Sequence, residues 1–116
     1  MLKVSFTYAN GHYEKLFAPF APDKKEKAEK SKVITEFLKA HYYPLEFEIE
    51  GVYPCITKGY FNVIAKCINR TGRSALISYS LAEFFKRDHL AKYGFVDYQV
   101  YFEDDTDLFG DYYEDN

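Results

Sequence analysis

Apolar and polar residues alternate from the second residue of the chain onward, which is typical of a half-buried β-strand. Every second residue from Leu2 to Tyr8 is apolar, and the residues between them are mostly polar. The pair Asn10-Gly11 tolerates the positive φ angles of a type I′ turn, and a second alternating run follows it. The pattern therefore predicts a β-hairpin over residues 2–17, with one apolar face.

A helix is predicted next, because Pro19 and Pro22 interrupt the strand pattern and the apolar spacing then changes. Asp23 is a suitable N-cap, and Glu26 three residues later resembles a capping box. The apolar face from residue 33 to His41 repeats every three to four residues. We expect the helix to span residues 23–41 and to end before Pro44.

Two further strands and a turn are predicted in the middle of the chain. Residues 45–50 alternate without interruption, with Glu46, Glu48 and Glu50 on the polar face. A bent continuation over residues 51–56 contains Pro54, which favours a position at a sheet edge. Residues 60–68 and 73–79 are predicted to form a second hairpin around a three-residue loop that ends in a glycine, with Cys67 opposite Ala75.

The last part of the chain predicts a helix followed by a strand. Ser80 and Glu83 suit a capping box for a helix over residues 81–93, and Gly94 suits its C-terminal end. Residues 95–102 alternate again and predict a final strand. The order ββ-α-ββ(β)-α-β predicts a single α+β domain: an antiparallel or mixed sheet of about five to six strands, with two helices packed on one face.

Charge divides the 116-residue chain into two parts. All 15 Lys and Arg precede residue 95, and with 10 acidic residues they leave a net charge of +5 there. Residues 95–116 contain eight carboxylates and no basic side chain. We therefore divide the chain into an α+β core domain, residues 1–102, and an acidic, aromatic C-terminal segment, residues 103–116.

The sequence contains no clear catalytic or metal-binding motif. The three histidines lack metal-binding spacing, and Cys55 and Cys67 lie in apolar strand patterns that predict buried free thiols. Residues 105–111 resemble the start of a calcium-binding loop. However, Phe109 occupies position 5, which needs an oxygen ligand, and Asn116 occupies position 12, which needs a bidentate glutamate. We predict a protein that is not an enzyme and that uses neither a cofactor nor a metal.

The chain shows no secretory signal, since Met1-Leu2-Lys3 leads directly into the first strand pattern. Its apolar runs are too short to span a membrane. With only two cysteines, a disulfide framework is not expected. These features predict a cytoplasmic protein that does not bind membranes.

The C-terminal segment predicts a protein-binding function, because a merely solubilising tail gains nothing from aromatic rings. Repeated carboxylates can take the place of phosphates, and rings the place of bases. We expect a basic, nucleic-acid-processing protein partner and a role as an inhibitor or nucleic-acid mimic, as in accessory proteins of phages and mobile elements. The predicted partner-binding residues are Asp104, Asp105, Asp107, Phe109, Asp111, Tyr112, Tyr113, Glu114 and Asp115.

An alternative function is single-stranded nucleic-acid binding by the basic body, with the acidic segment competing for the same surface. A strand edge near Pro54 or Phe95 would also allow a homodimer. The predicted nucleic-acid-binding residues are Tyr60, Lys66, Arg70, Arg73, Lys24, Lys25 and Lys27.

Overall fold

The computed structural model describes residues 1–10, 20–69 and 74–103. Within them the chain forms four strands, two α-helices and a short 3₁₀ turn. The elements are β1 (Leu2–Ala9), α1 (Lys24–His41), β2 (Phe47–Pro54), β3 (Tyr60–Cys67), α2 (Ser74–Lys86), the 3₁₀ turn (Ala91–Tyr93) and β4 (Phe95–Phe102).

The four described strands form one sheet in the order β2-β3-β1-β4, and every neighbouring pair is antiparallel. With the helices after β1 and β3, this is the split βαβ arrangement. The predicted α+β class is confirmed. The predicted five to six strands are not: the described residues contain four. The predicted pairing of β1 with a second hairpin strand is wrong, because β3 and β4 occupy both sides of β1. Residues 11–19, on which that second strand was predicted, lie outside the described part of the chain.

The predicted strand over residues 73–79 is wrong, and so is the predicted start of the second helix at residue 81. One helix, α2, begins at Ser74 and runs to Lys86. Ile77 and Leu81 are buried one helical turn apart, so the short apolar run follows a helical period rather than alternation. In addition, β3 is already paired with β1 on one side and β2 on the other, and Cys67 lies opposite Phe47 instead of Ala75.

The helix predicted from the Asp23 cap and the apolar spacing is confirmed as α1. The Asp23 carboxylate accepts a hydrogen bond from the Glu26 backbone N–H at 3.0 Å, which satisfies a donor that the first turn leaves unpaired. The helix ends at His41, and its buried face includes Ile34, Phe37 and Leu38. It lies over β2 and β3, whereas α2 lies over β4.

Both helices pack on the same face of the sheet, and the core lies between the two layers. Phe6 is fully buried there and contacts the rings of Phe37 and Phe95 edge to face, at centroid distances of 6.4 and 6.1 Å. No described helix is long and apolar enough to cross a membrane. Because both helices occupy one face, the opposite face of the sheet carries no described element.

Candidate functional site: the open face of the sheet

We call the sheet face opposite the helices the open face. The strand register places its residues in cross-strand rows, since successive side chains of a strand point to opposite faces. Lys3 lies between Lys66 and Tyr101, and Thr7 lies between Asn62 and Asp97. The described residues of this face are Glu48, Glu50, Gly51 and Tyr53 of β2, Tyr60, Asn62, Ile64 and Lys66 of β3, Lys3, Ser5 and Thr7 of β1, Asp97, Gln99 and Tyr101 of β4, and Glu103.

Both lysines of the open face are paired with carboxylates. The Lys3 ammonium lies 2.7 Å from a Glu50 carboxylate oxygen and also forms an ion pair with Glu103. Hydrogen bonds to Glu103 and Glu50 raise the pKa of the Lys3 ammonium well above its usual value. The Lys66 Nζ lies 3.5 Å from Glu48 Oε2. A carboxylate therefore compensates the charge of each ammonium, which weakens its attraction for a phosphate.

Lys3 also joins the two edges of the sheet. Glu50 belongs to edge strand β2, and Glu103 directly follows the opposite edge strand, β4. Lys3, on a central strand, holds both carboxylates on the open face. The outward-facing glutamates of β2 and Glu103, at the start of the acidic segment, are thus part of one surface.

The described open face has a net negative charge. Asp97 adds a fourth carboxylate to the three that contact the lysines, so four acidic groups face two basic ones. Glu48 and Asp97 are exposed to solvent. This excess of acidic groups favours a cationic partner over a nucleic acid.

Three tyrosines lie among these charges. Tyr53 is 45% exposed, Tyr60 is 37% exposed and Tyr101 is half-buried. The Tyr53 ring lies over Gly51, where an added Cβ atom would be only 2.5 Å from the Tyr53 hydroxyl oxygen. Partly exposed tyrosines provide contact area with few rotatable bonds, a property that suits binding surfaces.

Neutral polar groups lie beside Asp97 toward one end of the open face. The Thr7 hydroxyl donates a hydrogen bond to Asn62 Oδ1 at 2.7 Å, and the Cys55 thiol donates to the same oxygen at 3.3 Å. Burial raises the pKa of the Cys55 thiol, so the unreactive protonated form is favoured. Both cysteines are free thiols, but the predicted burial holds only for Cys67, since Cys55 is half-buried.

The predicted partner-binding residues lie outside the described part of the chain. They follow Glu103, whose backbone N–H donates to the Met1 carbonyl oxygen at 2.8 Å. The segment thus begins at the edge of the open face, next to Met1, which precedes β1. The residues concerned are Asp104, Asp105, Asp107, Phe109, Asp111, Tyr112, Tyr113, Glu114 and Asp115.

The alternative nucleic-acid-binding residues do not form one surface where they are described. Tyr60 and Lys66 lie on the open face. Lys24, Lys25 and Lys27 are exposed at the start of α1, in the helix layer on the other side of the sheet. Arg70 and Arg73 lie outside the described residues.

Several open-face residues were missing from the predicted sites, although strand alternation contained the signal. In β4, the apolar positions 98 and 100 face the helices, so Asp97, Gln99 and Tyr101 had to face the other way. The same argument applies to Lys3 in β1. What alternation could not supply was the order of the strands, and therefore which side chains become neighbours.

Neither a metal-binding cluster among the described residues nor a match to a known protein helps to define this site. Among the described residues, no group of three or more His, Cys, Asp or Glu side chains is placed to hold a metal ion. The His41 and His89 rings approach to a centroid distance of 5.8 Å but pack against Phe37 and Phe84. Comparison with protein families, curated proteins and solved structures finds no match for this chain.

Proposed function

We propose that this protein is a non-enzymatic binding protein that engages a basic protein through the open face together with residues 104–116. The observation that carries the proposal is the pairing of Lys3 and Lys66 with carboxylates of the same face. With its own cations neutralised, the face offers carboxylates and tyrosines to a partner. The acidic segment that follows Glu103 adds carboxylates and rings of the same kind.

The partner that fits this chemistry has arginines or lysines beside apolar or stacking side chains. Carboxylates can bind the guanidinium groups that normally contact phosphates, and tyrosines can occupy positions where bases normally stack. Such groups are typical of nucleic-acid-processing proteins. The protein would therefore inhibit its partner by occupying the nucleic-acid site. The two free thiols fit a reducing compartment, and we place this activity in the cytoplasm.

A competition assay tests the proposal. A labelled single-stranded oligonucleotide is bound to each member of a panel of purified nucleic-acid-processing proteins, and the full chain is added as competitor. We expect the chain to displace the oligonucleotide from at least one member without binding it directly. Displacement from no member would contradict the proposal.

Charge reversal tests whether the open face is responsible. Glu48→Lys combined with Asp97→Lys should weaken displacement at least about tenfold, because both exposed carboxylates would repel a basic partner. The matched control reverses two exposed helix residues, Glu29→Lys with Glu36→Lys, at the same net charge. Equal weakening by the two double variants would mean that only total charge matters.

Single-stranded nucleic-acid binding is the second candidate function, and the fold is the observation in its favour. A four-stranded sheet whose open face carries rings is also the architecture that some RNA-binding domains use to stack bases. In this chain the central position pair, Ser5 and Ile64, is not aromatic. Direct, salt-sensitive oligonucleotide binding by the full chain, increased by removal of residues 104–116, would favour this function over the first.

A further inference from the structure

The outer edge of β4 presents backbone groups that no described strand pairs. Glu103 exchanges hydrogen bonds with Met1, so its backbone N–H and C=O point toward β1. Because these directions alternate along an antiparallel strand, the backbone groups of Tyr98, Val100 and Phe102 point away from β1. No described strand lies beyond β4 to receive them.

The two edges of the sheet differ in how they discourage pairing. Edge strand β2 contains Pro54, a register shift between Ile49 and Gly51, and a row of exposed glutamates. Strand β4 has no proline, lysine or arginine, and its pairing with β1 is regular from Asp97 to Phe102. Its exposed apolar side chains are Val96, 55% exposed, and Phe102, 53% exposed. An edge of about 27 Å is thus open to another strand.

We propose that this edge pairs with β4 of a second copy of the chain, antiparallel and with Gln99 on the two-fold axis. The inference goes beyond the proposed function and does not depend on it. Only registers that place outward-pointing backbone groups opposite each other can form hydrogen bonds, and centring on Gln99 sets Tyr98 opposite Val100 of the second copy. Centring on Val100 instead would set Asp97 opposite Glu103, two carboxylates.

The Gln99 register also suits the side chains. It places Asp97 opposite Tyr101 of the second copy and brings Val96 close to Phe102, so the two exposed apolar groups cover each other. The Asp97 carboxylate now accepts the outward Tyr98 N–H at 2.8 Å. In the dimer, the Val100 carbonyl of the second copy takes that hydrogen bond.

The dimer would have one continuous antiparallel sheet, with the helices of both copies on the same side. The two open faces would then join across the axis into one longer surface. A target engaging this surface would meet the same acidic and aromatic groups twice, which raises avidity without any new type of contact.

Sedimentation equilibrium of the full chain over a wide concentration range tests the inference, and we expect a reversible monomer–dimer equilibrium. Gln99 is exposed, so its substitution should leave the monomer folded. Gln99→Lys and Gln99→Glu should each weaken self-association about fivefold, because like charges meet across the axis. An equimolar mixture of the two variants should associate more tightly than either alone.

Thr35→Lys, at an exposed position on α1, is the charge-matched control and should dimerise like the wild type. A wild-type chain that stays monomeric at every concentration would overturn the inference. A dimer insensitive to all changes at Gln99 would overturn it too. Gln99→Cys offers an independent reading, since opposed Cβ atoms of a pair without backbone hydrogen bonds lie about 5 Å apart. Oxidation should cross-link this variant and not the wild type, whereas equal cross-linking would contradict the register.

Discussion

The two faces of the sheet are formed by alternate residues of the same strands, but different interactions stabilise them. On the helix side, Val4, Phe6 and Val63 have no solvent exposure and contact only other apolar groups. On the open side, Lys3, Thr7 and Asn62 are held by ion pairs and hydrogen bonds between strands. The helix side stabilises the fold by removing apolar surface from water. The open side contributes little to stability, but its ion pairs and hydrogen bonds hold charged and polar side chains in place.

This difference separates the residues that determine stability from those that determine binding. Substitutions that remove buried apolar volume on the helix side should lower the free energy of unfolding strongly. Substitutions on the open side should change it weakly and act mainly on partner binding. Three variants test the contrast, and the expected change in stability decreases from the first to the last.

Phe6→Ala should lower the free energy of unfolding by about 3–5 kcal/mol, because it removes a fully buried ring and leaves a cavity. Urea denaturation followed by circular dichroism measures the change. Tyr60→Ala, at a 37% exposed ring on the open face, is the comparison and should cost less than about 1 kcal/mol. Similar losses of unfolding free energy for both variants would show that the open face contributes to stability as much as the helix side.

Lys3→Met should lower the free energy of unfolding by about 1–2 kcal/mol, since Glu50 and Glu103 lose the ammonium that both contact. The loss is limited because both carboxylates can turn toward water. Lys66→Met removes a single, more exposed pair with Glu48 and should cost under about 1 kcal/mol. In high salt, the stability losses of the two variants should become more similar, because salt screens ion pairs. If salt leaves the difference between these losses unchanged, ion pairing is not its cause.

Tyr8→Phe should raise the free energy of unfolding by about 1 kcal/mol, because the buried Tyr8 hydroxyl has no hydrogen-bond partner among the described residues. The Lys30 ammonium, 5.4 Å from the ring centroid, can stay above a Phe ring. Thermal unfolding at neutral pH measures the change. A lower melting temperature for the variant would indicate that the hydroxyl contributes to stability.

The same variant gives a pH test with a definite sign. Burial, with a smaller contribution from the Glu26 charge, raises the pKa of Tyr8 to about 12 in the folded protein. The unfolded chain releases this proton near its ordinary pKa of about 10. The stability that depends on the neutral phenol is therefore complete below pH of about 10 and is lost as the pH rises toward the folded pKa. Tyr8→Phe should lose less stability than the wild type over this interval.

The sequence predicted the elements with strong local signals and failed where the signal was short. The Asp23 cap located the start of α1, and alternation located β1 and β4. Residues 73–79 were assigned to a strand because the predicted hairpin register placed their alternating apolar residues opposite apolar residues of the strand over residues 60–68. The helical choice became evident only from burial of Ile77 and Leu81 against the sheet.

The sequence predicted which residues of each strand would lie on the polar face, but it did not predict which of them would contact one another. Tyr60 and Lys66 were correctly expected to share a polar face, and the outward glutamates were correctly read from alternation. The contacts of Lys3 with Glu50 and Glu103 were not, since they involve three segments that are distant in the sequence. A local pattern contains no information on such a contact.

By itself, the sequence determined which side of each described strand is apolar and where α1 begins, because these depend on neighbouring residues and on the fixed periods of helix and strand. Only the tertiary structure decided the strand order β2-β3-β1-β4 and the face on which both helices pack. Strand order depends on burying all apolar faces at once, a condition on the whole chain. That condition placed the lysines of the central strands among carboxylates from both edges of the sheet.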